Sequence, residues 1–173
     1  QDYMYTGNTE LIEAYYDEMK HKTLMELEYR DGLISTASDK HNGILMQQLG
    51  FSDTTKRLRD IVDWPQKGAW GGVQGETDDF VFQPVNTVVN SFYYENMKIM
   101  AEFAALLGKT DDALEFKLRA SRVKKAFNDL LFMEEKGYYR DGIGTDHGSL
   151  HASMLPLAFD LVPEEYAGEV ASH

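Results

Sequence analysis

The stretch from Gln83 to Gly108, QPVNTVVNSFYYENMKIMAEFAALLG, decides the fold because its apolar side chains recur at steps of three and four residues. This periodic stripe consists of Val85, Val88, Val89, Phe92, Ile99, Met100, Phe103, Leu106 and Leu107. Further apolar side chains widen it, which predicts a helix with neighbours on several sides. Pro84 suits a first helical turn, and Gly108 suits a left-handed residue that ends the helix. The polar exceptions, Asn86, Thr87, Asn90 and Ser91, lie in the N-terminal half, which indicates that this end serves function.

The same periodicity predicts helices on both sides of the central one. They span residues 9–29, 44–49, 53–62, 110–132 and 149–161, and another begins at Pro163. Residues 134–143, EEKGYYRDGI, carry two turn signals around two tyrosines, which predicts a short β-hairpin. Residues 66–82, with four glycines, are predicted to be a long loop. This loop either binds substrate or lies at the rim of a pocket without contacting substrate.

Three corners share one local pattern, a glycine followed two residues later by a hydroxyl side chain and then an acid. They are Gly7–Glu10, Gly50–Asp53 and Gly108–Asp111. A glycine that ends one helix, followed by a cap and a dipole-matching acid, is typical of tight helix-to-helix corners. The pattern predicts antiparallel helical hairpins packed side by side. We therefore predict an all-α fold. Part of an α/α toroid is favoured, and a plain helical bundle is the alternative.

Composition restricts the function further. The 173 residues carry a net charge of -12, which argues against a nucleic-acid partner because phosphate binding needs clustered Lys and Arg. No apolar run approaches the ~20 residues of a membrane-spanning helix, so no membrane partner is predicted. The absence of cysteine excludes disulfides and thiolate metal sites, and leaves the cellular compartment open.

Two groups of residues could carry chemistry. His147 and His151 stand four apart at a predicted helix start, but no third ligand is evident, so no metal site and no cofactor are predicted. The sequence RDIVDWP places Asp63 beside Trp64, just before Pro65. An indole can stack on a sugar ring while a carboxylate accepts hydrogen bonds from its hydroxyls. The alternative is a buried anchoring tryptophan next to an exposed acid.

With these residues identified, the chain resembles the catalytic domain of bacterial α-L-rhamnosidases, glycoside hydrolase family 78. The resembling stretches are 3–7 (YMYTG), 31–34 (DGLI), 62–65 (VDWP), 86–94 (NTVVNSFYY), 137–139 (GYY), 141–142 (DG), 145–152 (TDHGSLHA) and 161–163 (LVP). They cover nearly the whole chain in the family's order. The resemblance implies an (α/α)6 barrel and single-displacement, inverting hydrolysis of terminal rhamnose from plant or microbial glycans.

The chain departs from the family at the catalytic residues. Such enzymes carry their general acid in an Arg-Asp-Glu motif upstream of this stretch and their general base in a Glu downstream, and neither is present here. No catalytic residue is therefore assigned. The resemblance implies Asp63 and Trp64 as substrate contacts, together with Asn90, His147 and His151.

The resulting interpretation is that residues 1–173 form a single incomplete helical domain of a larger glycosidase, completed by the remainder of the parent chain. Exposed apolar edges would then favour self-association into a homo-oligomer. Two alternatives stay open: another (α/α)6 glycosidase, glucoamylase-like or trehalase-like, or a non-catalytic helical scaffold that binds glycans or a protein partner.

Overall fold

The computed structural model describes residues 2–64 and 78–173, with the backbone alone described at Asp2 and Arg30. Its helices are α1 (Asp2–Thr6), α2 (Glu10–Lys22), α3 (Gly43–Gln48), α4 (Thr87–Leu106), α5 (Thr110–Leu131), α6 (Leu150–Ala158) and α7 (Ala167–Ser172). Four short strands pair as two hairpins, β1 (Glu28–Tyr29) with β2 (Leu33–Ile34) and β3 (Phe132–Met133) with β4 (Tyr138–Tyr139). The predicted all-α class is confirmed. Of the predicted loop 66–82, positions 66–77, with Trp70 and Glu76, lie outside the described residues.

Helix α4 is the centre of the structure, and it begins later than the sequence predicted. Pro84 lies before the helix and not in its first turn, because Asn86 has an extended backbone and caps the helix. The Asn86 side chain accepts a hydrogen bond from the Val89 amide at 3.1 Å. The predicted burial on several sides is confirmed, and the buried set of α4 is Thr87, Val88, Asn90, Ser91, Tyr93, Tyr94, Met97, Met100, Ala101 and Ala104.

Helices α4 and α5 form the antiparallel hairpin that the 108–111 corner predicted. Gly108 has a φ of +69°, a left-handed conformation that suits glycine, and α5 begins two residues later. Small side chains such as Ala104 and Ala113 are buried between the helices and permit close approach. This pair makes the most extensive contact between elements among the described residues.

The other two corners differ from each other. Gly7, at a φ of +70°, joins α1 to α2 as predicted. Gly50 ends α3, but the predicted helix over 53–62 is wrong because these residues form no regular element. The Asp53 carboxylate instead binds the Thr55 amide at 3.1 Å, and the Leu58 amide donates to a ring nitrogen of His41 at 2.9 Å. Side-chain acceptors thus replace the backbone acceptors that a helix would supply.

The predicted helix 9–29 is also too long, since α2 ends at Lys22 and Leu24 adopts a left-handed φ of 63°. The chain then enters the β1–β2 hairpin, so the described residues contain two short hairpins where the sequence predicted one. Contacts from distant helices stabilise this hairpin. Arg119 and Arg122 of α5 form ion pairs with Glu28 of β1, and local helix propensity cannot anticipate such contacts.

The second hairpin confirms the prediction for 134–143, although its first strand starts at Phe132. Tyr139 of β4 is fully buried against the rings of Phe127 and Phe132, and its hydroxyl donates to Asn128 at 2.5 Å. Helix α6 starts as predicted, with Ser149 accepting from the Ala152 amide at 3.3 Å.

Helix α6 ends at Ala158, before the predicted Leu161, and Pro163 precedes a short 3₁₀ turn that leads into α7.

An apolar groove of about 630 Å³ lies between α1, α2 and the C-terminal end of α4. Among the described residues, no helix has the length and hydrophobicity to span a membrane.

Candidate functional site

The N-terminal ends of α4 and α6 meet around one buried carboxylate, Asp141. Its Oδ1 accepts the Ser149 amide at 2.8 Å, and its Oδ2 accepts the Val81 amide at 2.7 Å. The Asp141 carbonyl also accepts the amide of Thr87, the first residue of α4, at 2.9 Å. Asp141 therefore connects the starts of both helices to the segment that precedes α4.

His147 completes the environment of Asp141. Its Nδ1 lies 2.6 Å from Asp141 Oδ2, and the ring is 41% exposed. The imidazole can therefore bind the carboxylate with one nitrogen and face solvent with the rest of the ring. Asp141 is fully buried and both of its oxygens accept hydrogen bonds, so these contacts give it a structural role.

Asp63 and His151 form a second carboxylate–imidazole pair, in which His151 is the second residue of α6. His151 Nε2 lies 2.9 Å from Asp63 Oδ2. The imidazole is 11% exposed, whereas the carboxylate is 48% exposed. The pair joins residues 88 apart in the chain and attaches the DWP segment to α6.

Trp64 lies at the surface beside this pair. Its amide donates to Asp63 Oδ1 at 2.7 Å, and its side chain is 59% exposed. The anchoring interpretation of Trp64 is therefore wrong, since a buried indole would be needed. The hydrogen bond from His151, followed by that from the Trp64 amide, holds the pKa of Asp63 below its usual range. An ionised carboxylate beside an exposed indole is suited to bind a polyol ring.

Asn90, the fifth predicted site residue, lies apart from these pairs. Its side chain is fully buried and binds the backbone of β2, accepting from the Ile34 amide at 2.8 Å and donating to the Ile34 carbonyl at 3.0 Å. It also donates to the Asn86 carbonyl at 2.9 Å. Its role as a sugar contact stays a prediction, and these bonds give it a structural role.

A cavity of about 320 Å³ lies beside the N-terminal half of α4. Asp60, Asn86 and Phe92 are among its lining residues. Burial raises the pKa of Asp60, which is opposite to the direction for Asp63. The environments of the two acids of RDIVDWP therefore shift their pKa values in opposite directions.

Sequence reasoning missed Asp141 and Asp78 as organising residues of this region. Asp78 Oδ2 accepts the amide of Leu150, the first residue of α6, at 2.8 Å. From the sequence, Asp141 belongs only to the predicted hairpin 134–143 and to the resembling stretch 141–142, with no role of its own. The structure shows how tightly the chain packs beside Asp141, because a Cβ added to Gly142 would lie 2.4 Å from the Val85 carbonyl oxygen. The local sequence contains no signal of this close approach.

Within residues 2–64 and 78–173, no group of three or more His, Cys, Asp or Glu side chains is arranged to hold a metal ion. The chemistry that these residues offer is hydrogen bonding from ionised and neutral polar groups, with one exposed indole for stacking.

Comparison with known proteins identifies the family. The family model for the bacterial α-L-rhamnosidase six-hairpin glycosidase domain matches residues 1–173. The fold is similar to that of an α-L-rhamnosidase from Dictyoglumus thermophilum, with a TM-score of 0.66 and 22% sequence identity over 98% of this chain. The chain spans 16% of that enzyme. No curated protein matches it. The helical hairpins around α4 are therefore part of an α/α toroid, and the chain belongs to the bacterial α-L-rhamnosidase six-hairpin glycosidase family.

Proposed function

We propose that the full-length protein removes terminal α-L-rhamnose from glycans by single-displacement, inverting hydrolysis. The observation that carries this proposal is the exposed Trp64 indole beside the ionised Asp63, which is hydrogen bonded to the first turn of α6 in a rhamnosidase-family toroid. The indole offers an apolar face to the ring and methyl group of a deoxy sugar, while the carboxylate accepts its hydroxyl protons.

We assign the catalytic acid and base to the parent chain outside residues 1–173. Inversion needs two carboxyl groups about 6.5–9.5 Å apart, with a water molecule between them. Asp141 is buried and fully hydrogen bonded, and the lowered pKa of Asp63 is the wrong direction for a general acid. In this proposal residues 1–173 supply toroid wall and sugar contacts.

We also propose that residues 1–173 are a single incomplete helical domain. Several large apolar side chains at the groove between α1, α2 and α4 are exposed, among them Met4, Leu11, Tyr15 and Leu106. An exposed apolar surface of this kind favours contact with further protein. The chain's 16% share of the D. thermophilum enzyme leaves ample sequence in a parent of that size for the missing helices.

The residues in contact with sugar are proposed to be Asp63, Trp64 and His147, with Asn90 and His151 acting behind them. The exposed imidazole of His147, just before the start of α6, supports its inclusion. The proposed reaction needs no cofactor, since hydrolysis by two carboxyl groups uses only water.

The proposal is tested by assaying hydrolysis of an aryl α-L-rhamnoside by the full-length protein and by a chain of residues 1–173. We expect release of the aryl alcohol from the full-length protein alone, and proton NMR should show β-rhamnose as the first product. A parallel aryl α-glucoside tests the glucoamylase-like alternative.

Each other outcome excludes part of the proposal. Activity on the glucoside alone would refute the rhamnose specificity. Activity in residues 1–173 would refute the placement of the acid and base, and Asp60, whose pKa is raised by burial, would be the first residue to examine. A full-length protein that binds glycans without hydrolysing any would favour the scaffold alternative.

A second prediction concerns Trp64. We expect Trp64→Ala in the full-length protein to raise KM roughly 5- to 30-fold, because a lost stacking contact is worth about 1–2 kcal/mol. Thermal stability should be unchanged, since the side chain is 59% exposed. Tyr5→Ala is the matched control, because Tyr5 is an exposed aromatic residue of α1. Equal kinetics in both variants would remove Trp64 from the sugar site.

A further inference from the structure

His151 has a geometry that does not suit direct contact with a ligand. Its Nε2 is occupied by Asp63 Oδ2 at 2.9 Å. Its Nδ1 is enclosed by protein and has no hydrogen-bond partner among the described residues. Since Nε2 is engaged by Asp63 and Nδ1 is enclosed, direct hydrogen bonding of a sugar hydroxyl to His151 is disfavoured.

Asp63, in contrast, combines an exposed carboxylate with two fixed hydrogen bonds. Its Oδ1 accepts a hydrogen bond from the Trp64 amide at 2.7 Å. Because Asp63 and Trp64 are adjacent in the chain, this bond moves with the segment and does not fix the carboxylate relative to the rest of the fold. The bond to His151 attaches the carboxylate to α6, a helix of the toroid. Each carboxylate oxygen keeps a second lone pair for a ligand hydroxyl.

We propose that His151 is a positioning residue that acts through Asp63, fixing the direction in which this carboxylate accepts a hydrogen bond from a hydroxyl group of the sugar. This inference rests on the proposed function, because it presumes a polyol substrate at Asp63 and Trp64. It replaces direct sugar contact by His151 with an indirect role.

The charge state of the pair agrees with this role. Because an ionised carboxylate only accepts, the Nε2–H of His151 donates the hydrogen bond to Asp63. The hydrogen bond from His151 is the largest cause that lowers the pKa of Asp63. The same bond that orients the carboxylate therefore keeps it ionised, and an ionised carboxylate is the stronger acceptor for a sugar hydroxyl.

A double-mutant cycle in the full-length protein tests the proposal, with kcat and KM measured on an aryl α-L-rhamnoside. We expect Asp63→Ala to raise KM about 10- to 100-fold with little change in kcat, because a hydrogen bond to a charged group is lost from both ground state and transition state. His151→Ala should raise KM in the same range or slightly less. The double variant should match Asp63→Ala within about twofold, because His151 then has no carboxylate to position.

Two further readouts separate positioning from a merely structural role. His151→Gln should restore most of the affinity, because the glutamine amide nitrogen can reach the place of Nε2 and donate to Asp63. In His151→Ala the pKa of Asp63 rises towards its ordinary value of about 4. The KM ratio of His151→Ala to wild type should then grow as pH falls from 6 towards 4, because Asp63 is protonated earlier in the variant. His21→Ala, an exposed histidine of α2, is the control and should leave the kinetics unchanged.

The outcomes distinguish this inference from the proposed function. A wild-type protein that hydrolyses no glycoside refutes the proposed function, and the cycle is then run on binding of free L-rhamnose by calorimetry. Multiplicative effects of the two substitutions, without rescue by glutamine, would overturn the positioning role in favour of independent contact. Loss of thermal stability in His151→Ala, with unchanged KM in His151→Gln and Asp63→Ala, would also overturn it.

Discussion

Replacing Asp141 by asparagine is expected to destabilise the starts of α4 and α6 by about 2–4 kcal/mol. The amide keeps the shape of the carboxylate but offers one acceptor oxygen in place of two. The amides of Val81 and Ser149 approach different oxygens of Asp141, so one of them would face an NH2 group. At a fully buried position, water cannot replace the lost acceptor.

Hydrogen–deuterium exchange by mass spectrometry on the full-length protein measures this effect locally. Peptides covering residues 81–89 and 147–153 should lose protection in Asp141→Asn, while peptides from the middle of α5 should change little. Asp146→Asn is the matched control. Among the described residues, the exposed Asp146 carboxylate makes only long contacts, to Lys136 and Arg140 at 3.6 and 3.9 Å, and the Tyr138 hydroxyl donates to its backbone carbonyl, which the substitution keeps. The substitution should therefore change stability by less than about 0.5 kcal/mol. Equal protection in the two variants would contradict the organising role of Asp141.

Asn90→Ala is the second substitution with a large expected effect, about 2–4 kcal/mol of lost stability. Its side chain satisfies both the amide and the carbonyl of Ile34, which is itself buried in β2. Truncation leaves both backbone groups without a partner and opens a small cavity beside α4. We expect a lower thermal midpoint and faster exchange of the β1–β2 hairpin.

Asn96→Ala provides the control, because Asn96 lies on the same helix but is exposed. Its substitution should be neutral or slightly stabilising, since alanine is the better helix former. The comparison also decides the function of Asn90. A stable Asn90→Ala protein with a raised KM would support its predicted role as a sugar contact, whereas an unstable protein with normal KM at low temperature would assign it to the fold.

Local sequence was sufficient to predict a helix wherever one stretch contained the helix's first residues, its apolar periodicity and the residue that ends it. Helix α5 begins at Thr110 and ends within one residue of the predicted boundary, and Gly108 turns the chain as its position indicated. Ser149 caps α6 as predicted. These features depend on residues within a few positions of one another, where capping and conformational freedom act.

Prediction was wrong where side chains from distant elements compete with the local backbone. Residues 23–29 have helical periodicity, yet the chain leaves the helix at Lys22 and pairs as a strand that α5 holds through Glu28. Residues 53–62 also have helical periodicity, yet Asp53 and His41 take the amides that a helix would use. Intrinsic helix propensity is worth only tenths of a kcal/mol per residue, so a few tertiary contacts override it.

The sequence by itself determined the helical class and the central buried helix, and it supplied the residue types of the proposed sugar site at Asp63 and Trp64. Only the tertiary structure decided which partners those residues have. Asp63 meets His151 across 88 residues, and Asp141 meets Val81 across 60. Such pairings leave no periodic trace in the chain, because a buried polar group needs a partner in space and not at any fixed separation in sequence.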